Sequence, residues 1–299
     1  MGFSLNALFS VYKEEKSGGI YNLLGVIAIV VVWVVAGGIL EAVIQNYVTR
    51  HYGVQDMSYI TIIHNVITTG FSLLVVLLGA RFLLRHSFGS LGFSAQNLLG
   101  HYGKGIVIGL AMFSFCVLVG VFLGTQTVSL NDQSIAWGMW LAFFGLFFVQ
   151  GLSEEVMFRS FLLPEISARF GLLAGLIGSN ILFALFHAGN AGSGTLPVVN
   201  MFLFGLVMSI LYYYTQSIWV SGAVHSIWNF AEGNIYGISI SGHEVSNETL
   251  FKSRFSGSEW LTGGAFGLEG GLICSFGLIV AGAVLIYVYR GRRGYGATP

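Results

Sequence analysis

The chain has 299 residues, of which 55% are hydrophobic and only 9% are charged, and its formal net charge is zero. Ordinary soluble domains carry about 25% charged residues, so this composition excludes a soluble protein and indicates a chain that crosses a membrane several times. Without a long basic tract, membrane lipid is the expected environment and nucleic acid is not an expected partner. Cys116 and Cys274 lie in apolar runs without metal-ligand spacing and are predicted to be small core residues.

Apolar windows of about 20 residues predict eight membrane helices. Only Thr215 and Gln216 separate the sixth window from the seventh, and the fourth is long enough to be tilted. No repeat or linker divides the chain, so residues 1–299 are predicted to form a single all-α transmembrane domain. The expected spans are 21–44, 59–80, 104–124, 136–163, 171–188, 198–214, 217–235 and 270–289.

The distribution of Lys and Arg predicts the orientation, because cytoplasmic segments of membrane proteins carry an excess of these residues. Both termini are therefore predicted to be cytoplasmic, and the hydrophilic connection 237–269 is predicted to form a solvated or interfacial cap on the other side. Ten of the 13 basic residues fall on the side of the termini: Lys13, Lys16, Arg81, Arg85, Lys104, Arg159, Arg169, Arg290, Arg292 and Arg293. Arg50, Lys252 and Arg254 fall on the other side.

Three ionisable residues, Glu154, Glu155 and Arg159, interrupt the apolar run that begins near Trp137. Each charge near the centre of a membrane helix costs about 2.5 to 3.5 kcal/mol on insertion scales, so charges that occur there need partners, a wet cavity or a chemical role. Glu155 and Arg159 are four residues apart in the favourable order and are expected to pair. Glu154 points about 100° away around the helix and is the carboxylate left free to act on something else.

Two later spans also carry polar or aromatic pairs at a spacing of four residues. Phe183 and His187 share one face of the fifth span, and His225 and Asn229 share one face of the seventh. Each residue alone is typical of interhelical hydrogen bonding. Together with Glu154 they provide a carboxylate that can take a proton from water, imidazoles that can share it, and an amide that can stabilise an oxyanion. This set predicts amide hydrolysis without a covalent intermediate.

The three elements resemble the motifs EExxxR, FxxxH and HxxxN of the CPBP family, the intramembrane proteases that include CAAX prenyl endopeptidases and bacteriocin-processing proteins. The resemblance covers about residues 136–235. It implies a compact helix bundle with a water-accessible cavity, no metal or other cofactor, and a peptide or protein substrate, which is lipidated in the case of CAAX cleavage. It also implies that Glu154 is the base, that His187, His225 and Asn229 stabilise the oxyanion, and that Glu155 and Arg159 form a structural or substrate-facing pair.

Other functions remain open from the sequence. A carboxylate and two imidazoles could bind zinc, and Ser193 with His225 could form a serine dyad, although the chain lacks the rhomboid-type GxSG at that position. A proton-coupled transporter would also use buried Glu and His, but paired interrupted helices are missing. The main alternative is a membrane scaffold or bacteriocin-immunity protein of the same fold that cleaves nothing.

Overall fold

The computed structural model describes residues 19–52, 57–243 and 246–289. The tails that carry Lys13, Lys16, Arg290, Arg292 and Arg293 lie outside these residues. The helices are α1 (Gly19–Tyr52), α2 (Met57–Leu78), α3 (Leu98–Phe122), α4 (Trp137–Glu155), α5 (Leu163–Phe170), α6 (Leu172–Phe186), α7 (Thr195–Thr215), α8 (Ile218–Phe230), α9 (Glu259–Thr262) and α10 (Leu272–Tyr289). Two strands, β1 (Gln126–Leu130) and β2 (Phe251–Phe255), form an antiparallel pair.

The predicted all-α membrane fold is confirmed, with a difference in the lengths of two spans. Six helical segments within the described residues are long and apolar enough to cross a membrane. The other two predicted spans correspond to α6, with 15 residues, and α8, with 13. All of α8 except Trp219 is buried in the protein. A helix enclosed by its neighbours can be shorter than a lipid-facing one, because protein rather than lipid surrounds its ends.

Helix α8 is the centre of the bundle and packs against α3 and α4. Close approach depends on small residues, as is usual between membrane helices. A Cβ atom at Gly105 would lie 2.6 Å from the carbonyl oxygen of Val220, and one at Gly109 would lie 2.6 Å from that of Val224. On α4, a Cβ atom at Gly151 would lie 2.7 Å from the backbone nitrogen of Ser226. These glycines bring the three backbones together around the motif residues.

Three segments of π-helix continue α-helices in the described chain: Gly79–Leu83 after α2, Val156–Leu162 after α4 and Ala231–Ile235 after α8. Single turns of this kind are rare and frequently occur at functional sites. The second links α4 to α5, so that one long apolar segment runs from Trp137 to Phe170. Arg159 lies within this π-helical segment, one turn beyond the two glutamates.

The bundle has two ends with different connections. At the end where α1 begins and α10 finishes, Lys104 at the start of α3 donates to the hydroxyl of Tyr289 over 2.6 Å. At the opposite end lie the β1–β2 pair and residues 236–271, which we call the cap; residues 244–245 within it are outside the described part of the chain. The cap is held to the loop after α6 by a 2.9 Å hydrogen bond from the Asn190 side chain to the Ser241 carbonyl oxygen.

Candidate active site

A cavity of about 530 Å³ lies between α1, α2, α4, α6, α7, α8 and the cap. Glu154, Phe183, His187, His225 and Asn229, all predicted from the sequence, line it. Polar side chains of α1 and α2 form the facing wall. These are Glu41, Asn65, Thr68, Thr69 and Ser72. The structure therefore brings the free carboxylate, both imidazoles and the amide to one space, as the helical spacing of the three motifs predicted.

Glu154 is the last but one residue of α4 and is buried, with its carboxylate facing the cavity. Its Oε2 atom lies 3.7 Å from Nε2 of His187 and 3.9 Å from Nε2 of His225. These separations exceed a direct hydrogen bond. Oε2 has no hydrogen-bond partner among the described residues. One oxygen of the carboxylate is therefore directed between two imidazoles at a distance that a single bridging water can span.

His187 caps the C-terminal end of α6, one residue beyond the helix. Its Nδ1 atom lies 2.9 Å from the carbonyl oxygen of Phe183. Because a carbonyl oxygen can only accept, Nδ1 carries the proton of this hydrogen bond. In the neutral imidazole Nε2 then presents a lone pair toward Glu154. The i, i+4 spacing of Phe183 and His187 thus fixes the tautomer as well as the face of the helix.

His225 lies within α8 and is oriented by Glu155, a contact that the sequence did not predict. Nδ1 of His225 lies 3.0 Å from Oε1 of Glu155, so Nδ1–H donates to the carboxylate and Nε2 faces Glu154. A carboxylate that holds the second nitrogen of a histidine fixes the orientation of the ring and its tautomer. Glu155 is therefore shared between Arg159 and the site.

Arg159 and Glu155 form the expected ion pair, with 3.2 Å between Nη1 and Oε1, and both side chains are fully buried. The guanidinium also lies over the ring of Phe183, with 4.3 Å from Cζ to the ring centroid. Gly205 of α7 leaves room for it, because a Cβ atom there would lie 2.8 Å from Nη2. The ring of Phe183 in turn packs 4.6 Å from that of His187. Arg159 thus contacts His225 through Glu155 and His187 through the ring of Phe183.

Gln150 is a residue that the sequence analysis missed. Its Nε2 donates to Oε1 of Glu154 over 3.2 Å, and its Oε1 accepts from Nδ2 of Asn229 over 3.1 Å. The direction of this chain is set by the carboxylate, which can only accept when ionised. The signal was present in the sequence, since Gln150 precedes Glu154 by four residues on the same helical face. Asn229 therefore reaches Glu154 through Gln150.

The cap supplies a second group of unpredicted residues. Glu269 lines the cavity and accepts from Nε1 of Trp228 over 2.6 Å, from the backbone nitrogen of Ser241 over 3.0 Å and from the Ser241 hydroxyl. Trp228 belongs to the HxxxN segment of α8. Ser241 has a left-handed backbone, with φ of 45°, which is uncommon outside glycine. The Glu269 carboxylate therefore fixes the cap to the helix that carries His225 and Asn229.

Two alternatives from the sequence can be compared with this geometry. The lining of the cavity includes His225 but, among the described residues, not Ser193, so the serine dyad lacks a shared site. In the described ranges, no group of three or more His, Cys, Asp and Glu has an arrangement suited to a metal ion. Glu154, His187 and His225 nevertheless provide one carboxylate and two imidazole nitrogens, and the chelator experiment described below tests them as metal ligands.

The fold and the site define the class of the protein: a multi-pass membrane protein with a carboxylate and two imidazoles in an intramembrane cavity. Residues 135–231 match a family described as type II CAAX prenyl endopeptidase Rce1-like. This segment contains all three motifs, and the match confirms their resemblance to the CAAX proteases of the CPBP family. The comparison with curated proteins found no match. The activity of the matched family is that of a CAAX-type intramembrane endopeptidase.

Proposed function

We propose that the protein is an intramembrane endopeptidase in which Glu154, assisted by the two imidazoles, activates water without a metal ion. The observation that carries this proposal is the position of Glu154 Oε2, buried in the cavity within 4 Å of both Nε2 atoms. A charge in such a place is costly. A carboxylate that served packing alone would gain more from a direct partner for Oε2 than from two imidazoles beyond hydrogen-bond distance.

In the first step, Glu154 takes a proton from water, and the resulting hydroxide attacks the carbonyl carbon of the scissile peptide. A water placed to one side of the line from Oε2 to the His187 ring can contact both at ordinary hydrogen-bond distances. Both acceptors then face the hydrogens of the water, and its oxygen lone pair is left for the carbonyl carbon. General-base assistance of this kind typically contributes about 10² to 10⁴ in rate.

In the second step, the tetrahedral intermediate collapses and the C–N bond breaks. An imidazole that has received the water proton from Glu154 carries it at Nε2, where it donates to the oxyanion and then to the leaving nitrogen. The products are a carboxylic acid and a free amine, so the atoms of water are fully accounted for. Asn229 retains a second N–H that can donate to the oxyanion, because its contact with Gln150 uses only one.

Gln150 and Glu155 act through these groups and are positioning residues. Gln150 holds Oε1 of Glu154, which leaves Oε2 to face the water. Glu155 holds Nδ1 of His225 and keeps Nε2 toward Glu154. Because a displacement of about 1 Å can cost 10²-fold in rate, loss of either contact should slow cleavage without removing a reacting atom.

The test is the substitution Glu154→Gln, which keeps shape and hydrogen bonding but cannot accept a proton from water. Membranes from cells that make wild type, Glu154→Gln or the exposed cap variant Glu259→Gln are compared by mass spectrometry of newly formed peptide termini. We expect products with wild type and Glu259→Gln and their loss with Glu154→Gln. Comparable amounts of all three proteins in the membrane exclude a folding defect.

The same membranes separate the alternatives. Products that are unaffected by a strong chelator support the metal-free mechanism, whereas their loss, reversed by added zinc, would assign the site to metal catalysis. If cells with Glu154→Gln match wild type in both products and phenotype, the protease proposal is wrong. The protein would then be interpreted as a membrane scaffold of the same fold.

A further inference from the structure

The cavity extends from the middle of the bundle to the end that carries the cap, where residues of the cap form part of its lining. Its exposed lining residues include Glu41 near the end of α1 and His243 in the cap. In the other direction, toward the π-helical segment after α4, Glu155, Val156 and Arg159 are fully buried. The Ser160 hydroxyl donates to the carbonyl oxygen of Leu91 still further on. The route to water therefore runs from Glu154 past His243, away from the chain tails.

The charges of the chain indicate which compartment this end faces. Arg159 is buried within the bundle and belongs to neither surface. Without it, nine Lys and Arg belong to the end of the tails and three to the cap end. Structural contacts support the assignment of the short connections: Lys104 reaches Tyr289, and the loop after α2 reaches α8 through Gly92 and Ile218. By the positive-inside rule, the tails face the cytoplasm and the cap faces away from it.

We infer that the active site opens to the non-cytoplasmic side of the membrane, and that its substrate is a membrane-anchored polypeptide whose scissile segment emerges on that side. The substrate class in this inference rests on the proposed function, whereas the side of the membrane to which the site opens does not. A prenylated C-terminal tail that remains in the cytoplasm would not reach Glu154 by the route described. The matched family therefore indicates the chemistry of the site more directly than the substrate of this chain.

The walls of the cavity fit such a substrate. On the bilayer side, Val34, Gly38 and Phe186 are exposed members of the lining, so the space also opens laterally between α1 and α6. A Cβ atom at Gly37 or Gly38 would meet nothing within 4 Å, which leaves this part of α1 open. A volume of about 530 Å³ is in the range of small-molecule sites, so it admits a few extended residues. The anchoring helix of the substrate would remain in lipid beside α1.

The inference is tested by labelling engineered cysteines with a membrane-impermeant maleimide in right-side-out and inside-out vesicles. His243→Cys reports the mouth of the cavity, Glu259→Cys the cap and Ala95→Cys the opposite end; all three positions are exposed. The native Cys116 and Cys274 are buried and provide the background, measured in wild type. We expect His243→Cys and Glu259→Cys to be labelled in right-side-out vesicles, and Ala95→Cys only in inside-out vesicles.

The reverse pattern, or equal labelling of all three in both preparations, would overturn the inference. Because labelling does not depend on cleavage, the outcome is independent of Glu154→Gln. An active enzyme with a cytoplasmic cap would keep the proposed function and remove the substrate class inferred here. A non-cytoplasmic cap with an inactive wild type would remove the proposed function and keep the orientation. Protein misassembly is checked by requiring that each cysteine variant reaches wild-type abundance in the membrane.

Discussion

Replacing Arg159 by Met should destabilise the protein strongly, because it leaves Glu155 buried without its cation. Both residues are fully buried, and their 3.2 Å contact is accompanied by the stacking of the guanidinium on Phe183. Breaking a buried pair by removing one partner costs about 3 to 5 kcal/mol. A desolvated cation–π contact contributes about 2 kcal/mol of stabilisation. We therefore expect a loss of about 5 to 7 kcal/mol for Arg159→Met, of which the ring contact is the smaller part.

The double variant Glu155→Gln/Arg159→Met separates these two contributions. It removes the stranded charge, while the side-chain oxygen of Gln can still accept from His225, so only about 2 kcal/mol should remain lost. Unfolding in detergent against increasing dodecyl sulfate measures the free energies, with Arg254→Met on the exposed part of β2 as a control expected within about 0.5 kcal/mol of wild type. An Arg159→Met protein as stable as this control, or a double variant no more stable than Arg159→Met, would refute the reasoning.

Two further predictions concern the support of the site. Gln150→Leu should lower the rate of product formation about 10²-fold, with little change in the free energy of unfolding. The control Gln96→Leu, in an exposed loop, should leave the rate unchanged. Equal rates for the two variants would show that Gln150 does not position Glu154. Gly109→Ala should destabilise the contact of α3 with α8 by about 1 to 3 kcal/mol. Gly103→Ala on the same helix, where a Cβ meets nothing within 4 Å, should not, and equal stability of the two would contradict the packing described.

The sequence was informative where a contact depends on one helix and uninformative where it crosses between elements. Glu155 and Arg159 are four residues apart, and the period of the helix was enough to predict their pairing. The contact of Glu155 with His225 joins α4 to α8 over 70 positions. No local pattern specifies it, because it depends on the close approach that Gly151 and Ser226 permit. The partner of the second imidazole was therefore missed.

The contacts of the cap and the π-helical segment after α4 are two other features that the sequence did not predict. A hydrophilic connection was predicted at 237–269, but its contacts with the site through Ser241 and Glu269 depend on loop conformation, including the left-handed backbone of Ser241. Apolar windows likewise give the length of a span but not the hydrogen-bond register inside it. The fourth span was predicted to end at 163, whereas the helix continues through a π-helical turn to Phe170. The hydrophobicity of a segment is the same whether its backbone hydrogen bonds follow the α-helical or the π-helical register, so composition could not distinguish the two.

The charges of the site explain why the proposed mechanism needs an imidazole beside Glu154. Glu154 and Glu155 carry two negative charges, and Arg159 compensates one of them, so with both imidazoles neutral the cluster has one negative charge in excess. In a buried space an uncompensated charge is costly. When Glu154 has passed the proton of water to an imidazole, the excess charge moves to the oxyanion, beside a cation that is already held in place. The residual cost in the resting site is thus relieved along the reaction coordinate. Replacing His225 by Gln would leave His187 as the only imidazole that can provide this relief, and on this account it should slow cleavage more than loss of the Asn229 amide.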